Sequence, residues 1–225
     1  MRRFLTLVCL AVPVMSQAIV IDDFTVPYSR TISSGTWVDY QTDPTLFTGE
    51  RDVQMEIQMD SSGSSTLSVG NGMLSLVNDP LARSNIRLQY DGIGDEIGNT
   101  GQGKVLRDAT NPTNPFPQGA NKVRFHVESN NLQIVVGFQL LAGGVVQFIN
   151  SRTVLAGGYK IVDVPLSPSA FARCDSIIVQ VIASRQGANA YLSRIEVVPE
   201  PIGGTGLAAG VVLFGIAKVR GRVRS

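Results

Sequence analysis

Asp52-Val53-Gln54-Met55-Glu56-Ile57-Gln58-Met59 sets four apolar side chains in strict alternation with four polar ones. A period of two puts every apolar group on one face of an extended chain, the mark of a strand with one buried side. The pattern recurs further along. Ile86, Leu88 and Tyr90 alternate with Arg87 and Gln89, and Val123, Phe125 and Val127 alternate with Arg124 and His126. Apolar, β-favouring runs at 19–24, 73–77, 132–141, 145–149, 159–164, 176–182 and 190–197 bring the expectation to about ten strands, separated by Gly, Asn, Pro and Ser turns. No window of twelve residues between them has helical periodicity, and no internal repeat is present. The spacing predicts an all-β, antiparallel β-sandwich.

Composition agrees. Only 16% of the 225 residues are charged and 23 are glycine, which suits short strands joined by turns. The net charge of +1 hides an asymmetry. With Arg2, Arg3, Lys218, Arg220, Arg222 and Arg224 set aside, thirteen of the 19 basic residues remain against all 18 acidic ones, a balance of −5 between the two basic ends. An acidic body argues against nucleic acid as a partner, because a phosphate backbone requires a basic face. Of the two cysteines, Cys9 lies near the N-terminus and Cys174 stands alone, so removing the leader leaves no intramolecular disulfide. Cys174 reads as a small buried apolar residue.

The two termini carry their own signals. Residues 1–18 have a basic start at Arg2-Arg3, an apolar stretch of eleven residues over 4–14, and Ser16-Gln17-Ala18 with small residues before a cut after Ala18. This is a secretory signal peptide, and the stretch is too short for the roughly 20 residues of a membrane span. At the other end, 198–225 holds Pro199-Glu200-Pro201, an uncharged run of 16 residues over 202–217, and the basic residues Lys218, Arg220, Arg222 and Arg224. The run predicts a single C-terminal hydrophobic helix, and its trailing cations place the tail on the cytoplasmic side with the body outside. Gly206 and Gly210 are spaced as a helix-packing pair, though glycine is common in such segments.

Taken in order, triplet, apolar helix and Arg-rich end resemble the PEP-CTERM sorting signal of Gram-negative bacteria. The resemblance covers about 28 residues. It implies recognition of Pro199, Glu200 and Pro201 by an exosortase-type sorting protease, and retention by Lys218 to Arg224. It further implies an inner-membrane-anchored precursor passed on to the cell surface or extracellular matrix, in an organism that makes exopolysaccharide. The body between, 19–197, resembles galactose-binding-like carbohydrate-binding jelly rolls in three places. These are Ile21-Asp22-Asp23-Phe24 as the opening strand, Val162-Asp163-Val164-Pro165-Leu166-Ser167 before a turn, and Ala190-Tyr191-Leu192-Ser193-Arg194-Ile195 as the closing strand. Gly49-Glu50-Arg51-Asp52 and Gln89-Tyr90-Asp91-Gly92 are similar to stretches of secreted sandwich proteins with this tail. The likeness implies a jelly-roll type of sandwich. Ser193 and Arg194 stand where many such domains have an acidic residue or Asn, which counts against carrying over a metal site.

Several motifs bear on chemistry. Gly98-Asn-Thr-Gly-Gln-Gly103-Lys104 has the spacing of a phosphate loop, but Val105 replaces the required hydroxyl residue. Asp91, Asp95 and Glu96, with Asn99 and Asp108, cluster in the long stretch 91–121, and Asp22-Asp23 form a second acidic pair; either set offers hard oxygen ligands for a structural Ca²⁺, or is simply solvated. Glu50 and Asp52 share a strand face, as a glycosidase pair requires, although an Arg51 ion pair locking a strand end accounts for the same residues. His126 has no second histidine to join, so a zinc site or a triad lacks parts. Trp37 and Tyr40, near Tyr28 and Phe47, are candidates for a sugar-stacking platform or for the core. With no catalytic pair evident, the sequence predicts a non-enzymatic structural or adhesive surface protein. The alternatives are a module binding exopolysaccharide or cell-wall glycan, and, less well supported, a glycan-active enzyme.

Overall fold

The computed structural model describes residues 17–58, 62–93, 100–104, 106 and 120–199. Two seven-stranded antiparallel sheets face each other across one apolar core. The first sheet runs β12 (Lys160–Pro165), β9 (Ala120–Asn130), β14 (Ala190–Pro199), β6 (Met73–Asn78), β5 (Ser65–Gly70) and β2 (Tyr28–Ile32), with β1 (Ile19–Asp22) paired to β14. The second runs β11 (Val145–Val154), β10 (Ile134–Ala142), β13 (Ser176–Ala183), β7 (Ser84–Tyr90), β4 (Glu50–Ile57), β3 (Thr36–Thr42) and β8 (Gly101–Gln102). The sandwich is therefore as the alternation predicts, with fourteen described strands where the sequence suggests about ten. One four-residue helix, α1 (Pro168–Phe171), turns its Ala170 and Phe171 into the core. These strands form one compact unit, Ala18–Pro199.

The alternation fixes which side chains meet. Val53, Met55, Ile86, Leu88, Val179 and Val181 fall on the inner face of the second sheet, opposite Leu67, Leu74, Leu76, Phe125 and Val127 of the first. All are essentially inaccessible to solvent, and each such side chain stabilises the fold by about 1.5–3 kcal/mol relative to exposure. Two hairpins are closed by two-residue turns with both residues at positive φ, Asn71-Gly72 between β5 and β6 and Gly143-Gly144 between β10 and β11. That geometry matches the strand twist and favours Asn-Gly and Gly-Gly.

The signal segment up to residue 16, the triplet residues Glu200 and Pro201, the run 202–217, the basic end, Met59, Asp95, Glu96, Asn99 and Asp108 lie outside the described residues. Among the described residues no helix is long and apolar enough to cross a membrane. Pro199 closes β14, buried and in register with Ala120. Of the phosphate-loop look-alike, Gly101 and Gln102 form β8, a short edge strand against Trp37 and Val38.

Candidate functional site

Each sheet also has an outer face, and the two faces differ in chemistry. On the first sheet the outward side chains of β9, β12 and β14 satisfy one another. Lys122 Nζ and Arg124 Nε each reach Asp163 at 2.7 Å, and Arg124 Nη1 lies 3.5 Å from Glu196. His126 Nε2 lies 3.3 Å from Glu196, and its Nδ1 is 3.0 Å from the Tyr159 hydroxyl. The Arg124 hydrogen bonds, opposed by partial burial and helped by Lys122, hold the Asp163 carboxyl down at about 2. The lone histidine thus belongs to a surface charge ladder, which closes on itself.

The outer face of the second sheet does not. Register stacks its residues in rows across β3, β4, β7, β13 and β10: Thr36, Glu56, Asn85, Ile182, Val135; then Val38, Gln54, Arg87, Gln180, Gly137; then Tyr40, Asp52, Gln89, Ile178, Gln139. On the β3–β4 side this face is covered. Val38, Asp52 and Gln54 are buried there, and the Leu106 N–H donates to Gln54 Oε1 at 3.2 Å. Towards β7, β13 and β10 the cover is partial: Asn85, Arg87 and Gln139 are half-buried, whereas Gln89, Ile178 and Gln180 are buried. Among the described residues Glu56, Arg87, Gln139 and Gln180 make no side-chain hydrogen bond or ion pair, and Asn85 Oδ1 has no donor. In the middle of this face stands Gly137, where an added Cβ would lie 2.7 Å from both the Asn150 carbonyl and Ser151 Cβ. There the Asn150 carbonyl and the Ser151 side chain fill the space a side chain at 137 would take, beside Gln180 in the neighbouring strand. Planar amides and a guanidinium on a flat, partly desolvated surface present donors and acceptors for a polar ligand such as a hydroxyl-rich sugar, whose hydrogen bonds strengthen as water leaves.

The sequence-predicted platform is corrected by register. Trp37 and Tyr40 lie three residues apart on one strand, so they point to opposite faces. Tyr40 stands in the outer row beside Asp52, while Trp37 turns inward, packs against the core and is capped by Arg30, whose Cζ lies 3.3 Å above the indole centroid. They cannot form one stacking surface.

Asp22 and Asp23, the second acidic pair considered for calcium, have protein partners in the fold. Asp22 Oδ2 accepts Arg51 Nη1 and the Tyr90 hydroxyl, both at 2.6 Å, and Oδ1 accepts the Phe24 N–H at 2.7 Å. The Arg51 guanidinium supplies the positive charge that faces Asp22. Arg51 is wholly buried and is completed by Gln41 and by the Val26 carbonyl at 2.8 Å. Burial, followed by the Asp22 charge, pushes the Tyr90 phenol well above its ordinary range. Asp23 is exposed and caps Thr25. Asp91 is buried and accepts from Gln89, away from Asp22 on the other side of the sheet. Among the described residues no group of three or more His, Cys, Asp or Glu could hold a metal ion. The Arg51 pair does lock a strand end, with Asp22 rather than with its neighbours Glu50 and Asp52, which share the outer face. Cys174 is buried, its thiol pushed up to about 12 by desolvation.

Arg87, Gln139, Gln180, Asn85 and Arg30 are not singled out by sequence reasoning. The available signal was the polar phase of the alternating strands, where Asn85, Arg87 and Gln89 occupy every second position.

No protein-family model matches the chain, and no curated protein matches it. Among solved structures it is similar to the family 11 carbohydrate-binding module from Clostridium thermocellum in complex with a β-1,3-1,4-mixed-linked tetrasaccharide, at 11% identity over 81% of this chain and 95% of that one, TM-score 0.36. The CBM22-1–GH10 modules of xylanase 10B from the same organism, complexed with xylohexaose, match at 10% identity over 83% of this chain and 29% of that one, TM-score 0.38. Tailspike protein 4 of bacteriophage CBA120 matches at 10% identity over 78% of this chain, which spans 20% of the tailspike domain's length, TM-score 0.36.

Proposed function

We propose that the chain is an exported, non-enzymatic glycan-binding protein acting as an adhesive component of the cell surface or extracellular matrix. The observation that carries this reading is the half-buried part of the second sheet's outer face, where Asn85, Arg87, Gln139 and the more deeply buried Gln180 offer hydrogen-bonding groups left unused among the described residues. The contrast with the self-neutralised face of the first sheet supports it. In this reading the sandwich is of the jelly-roll type and its ligand an exopolysaccharide or cell-wall glycan. Export rests on the leader ending at Ala18, and sorting on Pro199-Glu200-Pro201 and the basic end, which imply an exosortase-type protease and a transient membrane anchor. Affinity electrophoresis of the full-length chain through gels containing neutral and acidic polysaccharides tests the glycan reading. The wild type is expected to be retarded by at least one of them, and the Arg87→Ala/Gln180→Ala variant to lose most of that retardation with its thermal midpoint unchanged. Equal migration of the two proteins in every gel would sink it.

A further inference from the structure

A polar pocket lies at the edge of the sandwich between β2 and β3, beyond the Thr36 end of the outer-face rows. It is a cavity of about 220 Å³ lined by Arg30, Ser33, Ser34, Thr36, Trp37 and Gln102 among others, and no carboxylate is among its lining residues. The volume falls below the roughly 300 Å³ at which pockets begin to hold a whole drug-sized ligand, so it suits one small group of a larger molecule. The Arg30 guanidinium carbon lies 3.3 Å above the Trp37 ring centroid, and among the described residues Arg30 makes no side-chain hydrogen bond or ion pair. Arg30 Nε and Trp37 Nε1 are both buried donors without an acceptor. Buried donors of this kind are costly to leave unmade, and a charged one most of all. The contact with the indole restrains the guanidinium, and its fork is suited to a planar, bidentate acceptor. The serine and threonine hydroxyls around it can serve the remaining lone pairs.

We infer that the Arg30–Trp37 pocket is a binding subsite for a carboxylate, supplied on a glycan by a uronic acid. The inference rests on the glycan reading only for the source of that carboxylate. Trp37 is the one tryptophan of the chain, so indole fluorescence reports on this pocket alone. The full-length chain is titrated with D-glucuronate, and with D-glucose and inorganic sulfate as comparison probes. The expected result is a saturable change with glucuronate and none with glucose. Arg30→Gln abolishes it, and Arg30→Lys, which keeps the charge but not the fork, weakens it by about tenfold or more. Thermal melts establish that both variants are folded. The Arg87→Ala/Gln180→Ala variant keeps the response, so loss of the outer-face reading and loss of this one are told apart. No saturable change with glucuronate, or an equal one with glucose, overturns the subsite. An equal response to sulfate overturns its assignment to carboxylates.

Discussion

At the scale of single residues, the feature with the largest energetic consequence is Arg51, a wholly buried cation whose charge partner is Asp22. Removing one member of such a pair strands the other charge without water, at a cost of about 3–5 kcal/mol. Asp22→Asn and Arg51→Met are each expected to lose that much in urea unfolding. The double substitution Asp22→Leu/Arg51→Met should recover most of it, since an apolar pair leaves no orphan charge. Calcium gives an independent check, because the wild-type midpoint should not move with a chelator. A chelator-sensitive midpoint that vanishes in Asp22→Asn would restore the metal reading. Asp163 makes a weaker, pH-dependent contribution. Its carboxyl falls from an ordinary 3.8 to about 2 in the fold. A depressed folded value means stability present above the unfolded value and lost as pH falls through the folded one. Asp163→Asn should therefore be less stable than wild type above about pH 4, with the gap closing towards pH 2. The side chain is 36% exposed, so solvent screens much of the effect. These two aspartates also show what sequence can carry. That an arginine would lock a strand end is legible beside Glu50 and Asp52, but its partner lies 29 positions away, and no local spacing encodes that pairing.

At the scale of elements, β4, β7 and β9 are legible because each keeps a continuous apolar phase that the opposite sheet buries. β2, β3 and β5 are not. The inward phase of β3 is Trp37, Asp39 and Gln41, and that of β2 includes Arg30, because at this open side the sheets face each other across polar groups instead of a core. β5 offers only Leu67 and Val69. The same polar gap hides the Arg30–Trp37 pocket from sequence, since its residues look like a strand without a buried face. Within the second sheet, Gly137 is set by a neighbour rather than by its own backbone. An alanine methyl there would press on the Asn150 carbonyl and Ser151 at 2.7 Å, and backbone of a paired strand gives way poorly. Gly137→Ala is expected to destabilise by about 1–3 kcal/mol through overpacking, measured by chemical denaturation. By pushing β11 away from β10 beside Gln180, it should also weaken polysaccharide retardation beyond what stability accounts for. A neutral effect on both would mean that β11 shifts freely away from β10.

At the scale of the whole molecule, the two proposed processing points, after Ala18 and at Pro199, border strands that pair with each other. β1 begins at Ile19, directly after the predicted cut at Ala18, and pairs only with β14. Ile19 lies opposite Val197, two residues before the Pro199 that opens the proposed sorting triplet. Removal of the leader after Ala18 therefore leaves β1 whole, and a cut on the C-terminal side of Pro199 leaves β14 whole. A cut further inside has a different outcome. A chain ending at Ser193 loses the buried Ile195 and Val197, worth about 1.5–3 kcal/mol each. It also removes the register partners of β1, and with β1 goes Asp22, so Arg51 is left as an unpaired buried cation costing about 3–5 kcal/mol more. Those losses together reach the 5–15 kcal/mol that holds a typical domain folded. The expected outcome is that chain 19–199 melts cooperatively at the temperature of the longer chain, whereas chain 19–193 shows no cooperative transition by circular dichroism. A folded 19–193 would mean that β1 is held by something other than β14, and that the Arg51–Asp22 pair survives without it. A 19–199 chain that fails to fold would place part of the fold's stability in the residues beyond Pro199, and sorting by cleavage at the triplet would then release an unfolded domain.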